Sequence, residues 1–275
     1  MLREFSLKDR VAIVTGAGRG IGKGIALTMA EAGADISAVD INTGEIKALA
    51  DQIGKLGRKC LPVTADISRD DDVQEMIDKT IARFGRVDIL VNNAGIRGAD
   101  KALIPLPDLP LSPRDGVTDF NTPWSLEEWR GLMNVDLDGI FLCTRAAGLH
   151  FVKQRSGRII NIASSYAAGG RGSELNVPYC TAKAAVVRFT QALAKEWGPY
   201  HVNINAIGPG LVQTELSQEL IMAKEEIREK YLARVPQQRF GKPRDIGLLA
   251  VYLAAPASSW MTGQIIYING GETIA

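Results

Sequence analysis

Histidine and cysteine are scarce in this chain, and their scarcity removes whole classes of chemistry. Of 275 residues only two are histidine, His150 and His201, too few for a metal cage or a His-based triad. The three cysteines, Cys60, Cys143 and Cys180, lie far apart and form no CxxC pair, which argues against a disulfide framework and a zinc site. Charge of one sign is also lacking. The formal net charge of +1 gives no general pull toward nucleic acid or an anionic membrane, so any anion must be bound locally. No apolar run approaches the roughly 20 residues a membrane helix needs. The first ten residues carry Arg3, Glu4, Lys8, Asp9 and Arg10 with no apolar centre, so no signal peptide is expected there and a reducing cytoplasm fits best.

What the chain does contain is alternation. Short Val- and Ile-rich runs at Val11–Thr15, Asp35–Asp40, Cys60–Ala65, Val87–Asn92, Arg158–Ala163, Val202–Ile207 and Gln264–Asn269 read as seven strands. Their near-continuous apolarity suits a parallel sheet covered on both faces. Helical periodicity fills Ile21–Ala32, Asp70–Phe84, Ser125–Gln154, Pro178–Trp197 and Pro243–Ala254. The pattern predicts an α/β fold: one Rossmann-type domain over residues 1–275, a doubly wound seven-stranded parallel sheet with ligands at the carboxyl ends of its strands.

Two segments break the rhythm. Between Ile96 and Trp124 lie Pro105, Pro107, Pro110, Pro113 and Pro123, five of twelve prolines, so a long ordered loop is expected at 97–123. It either shapes a pocket or forms a subunit contact. Residues 211–239 are charged and helical and follow a strand's carboxyl end, the place for a substrate lid.

The first strand runs into Thr15-Gly16-Ala17-Gly18-Arg19-Gly20-Ile21-Gly22 and then a helix. Glycines let the backbone approach a pyrophosphate, and the helix N-terminus offers free N–H groups. Asp40 closes the second strand 18 residues beyond Gly22, near the spacing of a carboxylate that binds an adenosine ribose; a helix cap is its plainer alternative. A carboxylate there accepts from a 2′-hydroxyl and repels a 2′-phosphate, whereas Arg19 could pair with that phosphate. NAD is expected over NADP, and no metal.

Tyr179 and Lys183 stand four apart, on one helix face. An ammonium beside a phenol favours the phenolate, so this pair is expected to lower a pKa normally about 10 and to exchange protons near neutrality. With these residues in hand, the chain resembles the short-chain dehydrogenase/reductase family along essentially its whole length. The glycine pattern matches Thr15 to Gly22, Asn-Asn-Ala-Gly matches Asn92 to Gly95, and the helix asparagine is matched to Asn134. The catalytic serine is matched to Ser164, the Tyr-x-x-x-Lys motif to Tyr179 and Lys183, and the Pro-Gly turn to Pro209, Gly210 and Thr214.

The resemblance implies that Tyr179 exchanges a proton with the reacting oxygen and that Lys183 tunes it and binds nicotinamide ribose. Ser164 would stabilise the oxygen, and Asn134 would hold a water leading to bulk. It further implies cofactor contacts from Gly16, Arg19, Gly20, Ile21 and Gly22 in the turn, and from Asp66 and Ile67 at the adenine. Asn93, Ala94 and Gly95 would line the adenosine side, with Pro209, Val212 and Thr214 near the carboxamide. The serine following Ser164 is Ser165, and Asn269 stands where the family often has Asp. Phe5–Lys8, Ile207–Gly210 and Gln264–Tyr267 resemble gluconate 5-dehydrogenases and related sugar-acid or polyol enzymes, with Arg97 and Arg171 placed to meet a substrate carboxylate and Tyr166 to shape the pocket. The alternatives are a 3-oxoacyl thioester reductase and a non-catalytic nucleotide sensor on the same fold. The resemblance also implies a homotetramer or dimer built from helices around Asn134 and Tyr179.

Overall fold

The computed structural model describes residues 2–106, 121–169, 176–218 and 225–273, with Leu216 by its backbone alone. In chain order the principal elements are β1 (Val11–Thr15), α1 (Gly20–Glu31), β2 (Asp35–Asp40), α2 (Thr43–Lys55), β3 (Cys60–Thr64), α3 (Asp70–Phe84) and β4 (Ile89–Asn92). There follow α4 (Leu126–Met133), a π-helical turn (Asn134–Asp138), α5 (Gly139–Gln154), β5 (Gly157–Ile162), α6 (Val177–Trp197) and β6 (Val202–Pro209). The short α7 (Glu215–Ser217), α8 (Glu225–Leu232), α9 (Pro243–Ala254) and β7 (Ile265–Ile268) complete the chain.

All seven strands are parallel, in the order β3-β2-β1-β4-β5-β6-β7. The strand order reverses between β1 and β4, which opens a crevice at their carboxyl ends. The pleat sends alternate residues of β1 to opposite layers. Ala12 and Val14 pack with α1, α2 and α9, whereas Ile13 packs with α3 and α5. Burial on both faces explains why the strands read as continuous apolar runs rather than alternating ones. Strand ends fall within two residues of the sequence expectation.

Two elements differ from that expectation. α2 was not among the helices read, although Asn42 caps it by accepting from the Gly44 and Glu45 N–H groups at 3.1 and 3.3 Å. The single helix expected over Ser125–Gln154 is two helices joined by the π turn, where the Gly139 N–H reaches back to the Asn134 carbonyl. Ser125 starts α4 through a capping box with Glu128.

Candidate active site

A cleft of about 640 Å³ occupies the crevice. Its lining includes Gly16, Arg19, Gly20, Ile21, Gly22, Asp40, Asp66, Ile67, Asn93, Ala94, Gly95, Ser164, Tyr179, Lys183, Pro209, Val212 and Thr214, so one surface gathers nearly every expected site residue.

At one end the glycine-rich turn meets the start of α1. Gly16 and Gly20 have φ of 62° and 54°, the left-handed region where glycine costs least. A Cβ on Gly22 would stand 2.0 Å from the Gly16 carbonyl oxygen, so the turn closes only with glycine there. Asn93 donates to the carbonyls of Thr15 and Gly16 at 2.9 and 3.1 Å. The Thr15 hydroxyl in turn accepts from the N–H groups of Asn93 and Ala94. Asn93 thus lines the cleft and also pins the turn.

The turn's fit to an anion is visible in a protein group. Glu215 places a carboxylate oxygen 3.1 Å from the Gly20 N–H, at the N-terminal end of α1, where it stands in for a phosphate oxygen. Asp40 accepts from the N–H groups of Gly18 and Asn42, both at 3.0 Å, and Asn42 rather than Asp40 caps α2. A second carboxylate, which sequence reasoning missed, stands beside it: a Cβ on Gly18 would meet Glu45 Oε2 at 2.7 Å and Asp40 Oδ2 at 3.0 Å. These residues fit a dinucleotide: the turn could hold a pyrophosphate and Asp40 a ribose hydroxyl.

At the other end β5 delivers Ser164 and α6 delivers Tyr179 and Lys183. Ser164 is buried in the cleft wall, close enough to Tyr179 to favour its phenolate, whereas Ser165 does not line the cleft. The Lys183 ammonium lies 5.5 Å from the Tyr179 ring centroid, and Tyr166 meets that ring edge-on at 5.9 Å. Tyr166 lines the cleft as expected.

Asn134 is a correction. It is exposed on the π turn and does not line the cleft. Two residues on, about 200° around a helix, Asp136 is fully buried and points inward. Its Oδ1 accepts from the Ile96 N–H at 2.7 Å, and its Oδ2 lies 2.9 Å from Lys183 Nζ. Sequence reasoning passed over Asp136 because the motif match rested on residue type. Which residue of this turn faces inward is set by its π geometry, which the hydrophobic pattern does not mark.

The electrostatics correct a second expectation. Burial pushes the Tyr179 phenol above its ordinary value; Lys183 and Ser164 pull it down, while Asp136 and Tyr166 push it further up, and the net direction is upward. Burial works against the Lys183 ammonium, yet Asp136 and Tyr179 outweigh it and hold the proton more firmly. Lys183 does pull the tyrosine down as expected, but burial, with Asp136 adding to it, outweighs that pull.

Asn176, buried and also missed, caps α6 by accepting from the Tyr179 N–H at 3.4 Å and donates to the Arg97 carbonyl at 3.0 Å. Arg97 reaches the cleft, but its guanidinium contacts both Asp100 oxygens, at 2.8 and 2.9 Å. Its charge is therefore shared with a protein carboxylate. Arg171 and the insert residues 107–120 lie outside the described residues. From 211–239, Leu211, Val212, Thr214, Glu215, Ser217 and Tyr231 face the cleft. Among the described residues no group of three His, Cys, Asp or Glu could hold a metal, and no helix is long and apolar enough to cross a membrane.

A parallel doubly wound sheet with an anion-binding turn at its switch point, and a serine, tyrosine and lysine converging in the same cleft, defines a nicotinamide-dependent oxidoreductase. The chain belongs to the short-chain dehydrogenase/reductase family, whose members act on CH–OH and keto groups: residues 16–273 match the family profile described as enoyl-(acyl carrier protein) reductase. It is 37% identical over 273 residues to 2-dehydro-3-deoxy-D-gluconate 5-dehydrogenase of Escherichia coli K12, covering 98% of each chain. It is 33% identical over 268 residues to the 3-oxoacyl-[acyl-carrier-protein] reductase FabG of Thermotoga maritima, covering 98% and 99%. Among solved structures, a gluconate 5-dehydrogenase from Burkholderia cenocepacia J2315 in complex with NADP and tartrate superposes with a TM-score of 0.86 at 32% identity, covering 100% of this chain and 99% of that one.

Proposed function

We propose that the protein interconverts a secondary alcohol and a ketone on a small, polar, hydroxylated substrate of the sugar-acid or polyol class, with NAD(H) as cofactor. The observation that carries this reading is the convergence of Ser164, Tyr179 and Lys183 at the end of the cleft opposite the glycine-rich turn. The dinucleotide supplies or accepts the hydride. Tyr179 gives its phenolic proton to the carbonyl oxygen in reduction, or takes it back in oxidation. Ser164 hydrogen-bonds the same oxygen and stabilises charge developing there. Lys183 would hold the nicotinamide ribose. Gly16, Gly20, Ile21 and Gly22 would cradle the pyrophosphate, Asp66 and Ile67 would border the adenine, Ala94 and Gly95 would line the adenosine side, and Pro209, Val212 and Thr214 would border the carboxamide. Residues 211–218 and 225–239 would serve as the lid.

NAD is preferred over NADP because Asp40 and Glu45 together make the 2′ position acidic. Arg19, on the glycine-rich turn, is an opposing charge. The polar substrate class rests on the sugar-acid relative of Escherichia coli and on the tartrate-bound structure. The thioester-reductase reading draws on the FabG relative. Assembly through α5 and α6 would account for the exposed Phe141, Leu149 and Val177; a cytoplasmic location is a separate part of the proposal.

The test is a steady-state assay of the pure protein with NADH and NADPH against keto-sugar acids, simple ketones and a 3-oxoacyl thioester. Turnover of the hydroxylated keto acids with NADH, and none in Tyr179→Phe, is expected. A thioester preference would replace the substrate assignment, and a turning-over Tyr179→Phe would replace the mechanism.

A further inference from the structure

The proton-transfer pair is in fact a set of three. Asp136 is fully buried, and Lys183 keeps only 5% of its side-chain surface. The carboxylate holds the ammonium at 2.9 Å, and the Ile162 carbonyl accepts from Nζ at 3.3 Å. Gly95 packs directly on the pair: a Cβ there would stand 3.1 Å from Asp136 Oδ2 and 3.3 Å from Lys183 Nζ. The π turn aims Asp136 at this point, and the Ile96 N–H fixes its other oxygen.

Charge counting gives the consequence. With Tyr179 protonated, the carboxylate and ammonium cancel and the buried set is neutral. Loss of the phenolic proton leaves one net negative charge away from water, which is costly. A lysine without its carboxylate would make the same step from a net positive set to a neutral one. The other groups facing Tyr179 do not change this balance. Tyr166 is a second phenol, Ser164 is uncharged, and Arg97 and Asp100, which abut Tyr166, pair with each other.

We propose that Asp136 is a positioning residue that neutralises Lys183 and thereby keeps Tyr179 a protonated phenol, setting the site as a proton donor for carbonyl reduction at neutral pH. In that step the Tyr179 O–H bond breaks as the new O–H bond of the product alcohol forms, and the electron pair remains on the phenolic oxygen. Burial, with Asp136 adding to it, holds the Tyr179 phenol above its ordinary value, in agreement with this geometry. The proposal rests on the functional reading above for the step it governs, but the charge state of Tyr179 can be read without turnover.

The experiment labels the tyrosine ring carbon bearing oxygen with carbon-13 and follows its resonance against pH in the free protein. Tyr179 is assigned by the peak lost in Tyr179→Phe. In the wild type the resonance should stay in its phenol position until above about pH 10, the ordinary tyrosine midpoint. In Asp136→Asn the midpoint should move toward acid by about one pH unit or more. A wild-type midpoint near neutrality would overturn the proposal whether or not the variant folds. So would an unchanged or alkaline-shifted midpoint in folded Asp136→Asn. With an active substrate, Asp136→Asn should also shift the pH profile of kcat/KM for alcohol oxidation toward acid, which a loss of packing alone would not do. Failure of every substrate to turn over would contradict the function and leave the resonance test standing.

Discussion

Asp40 and Glu45 make the sharpest prediction among single residues. Both flank Gly18, so replacing Asp40 with Ala removes the carboxylate proposed to meet a 2′ substituent while Glu45 remains. The ratio of kcat/KM with NADPH to that with NADH should rise on the order of tenfold, the size of one lost like-charge contact; an unchanged ratio would remove Asp40 from cofactor choice. Lys183 carries a stability prediction as well. Lys183→Met leaves Asp136 buried without its counter-charge, which costs about 3–5 kcal/mol and should lower the denaturant midpoint accordingly. At this scale the sequence was partly legible. Ser164, Tyr179, Lys183 and Asp40 could be read because residue type and spacing carry their chemistry. Asp136, Glu45 and Asn176 could not, because their roles depend on which way a helix face turns and on which loop passes nearby.

Elements were legible where one period dominated. The strands were, because burial on both faces leaves an unbroken apolar run in each. The π turn was not: one extra residue per turn leaves no mark in the hydrophobic pattern of Ser125–Gln154, yet it decides that Asp136 and not Asn134 faces the lysine. α6 depends on Asn176 at its start. Asn176→Ala removes a cap worth about 1 kcal/mol and also unties the loop holding Arg97 and Asp100. Its KM for substrate should rise more than its kcat falls, and a thermal scan should show the lost cap. α1 and α9 approach closely at Gly24, where a Cβ would stand 2.4 Å from the ring of Pro243. Gly24→Val should therefore lower stability by about 1–3 kcal/mol, measured by urea unfolding, with its effect on rate confined to that loss.

For the molecule as a whole, the doubly wound parallel sheet and the cleft at its strands' carboxyl ends followed from the alternation of strands and helices, because right-handed crossovers reverse direction at a switch point. The buried thiols add a prediction at this scale. Burial pushes Cys60 and Cys143 from their ordinary 9.0 up to about 12, so the folded protein binds protons there that the unfolded chain has already released. Their contribution to stability is complete below pH 9 and falls as pH rises toward 12, which alkaline denaturation monitored by circular dichroism would register. Cys143, which is fully buried, should resist alkylation at neutral pH until the protein unfolds. Assembly belongs here too: native mass spectrometry should find a dimer or tetramer, and Leu149→Glu on the exposed face of α5 should shift it toward monomer.

On the proposed reading, Tyr179 transfers the proton of a nicotinamide-dependent oxidation–reduction. Single-turnover reduction of an accepted keto substrate by NADH, wild type against Tyr179→Phe, tests it most directly. A fall of about 100-fold or more in the hydride-transfer rate, with NADH binding unchanged, is the predicted result. Equal rates in the two proteins would contradict it.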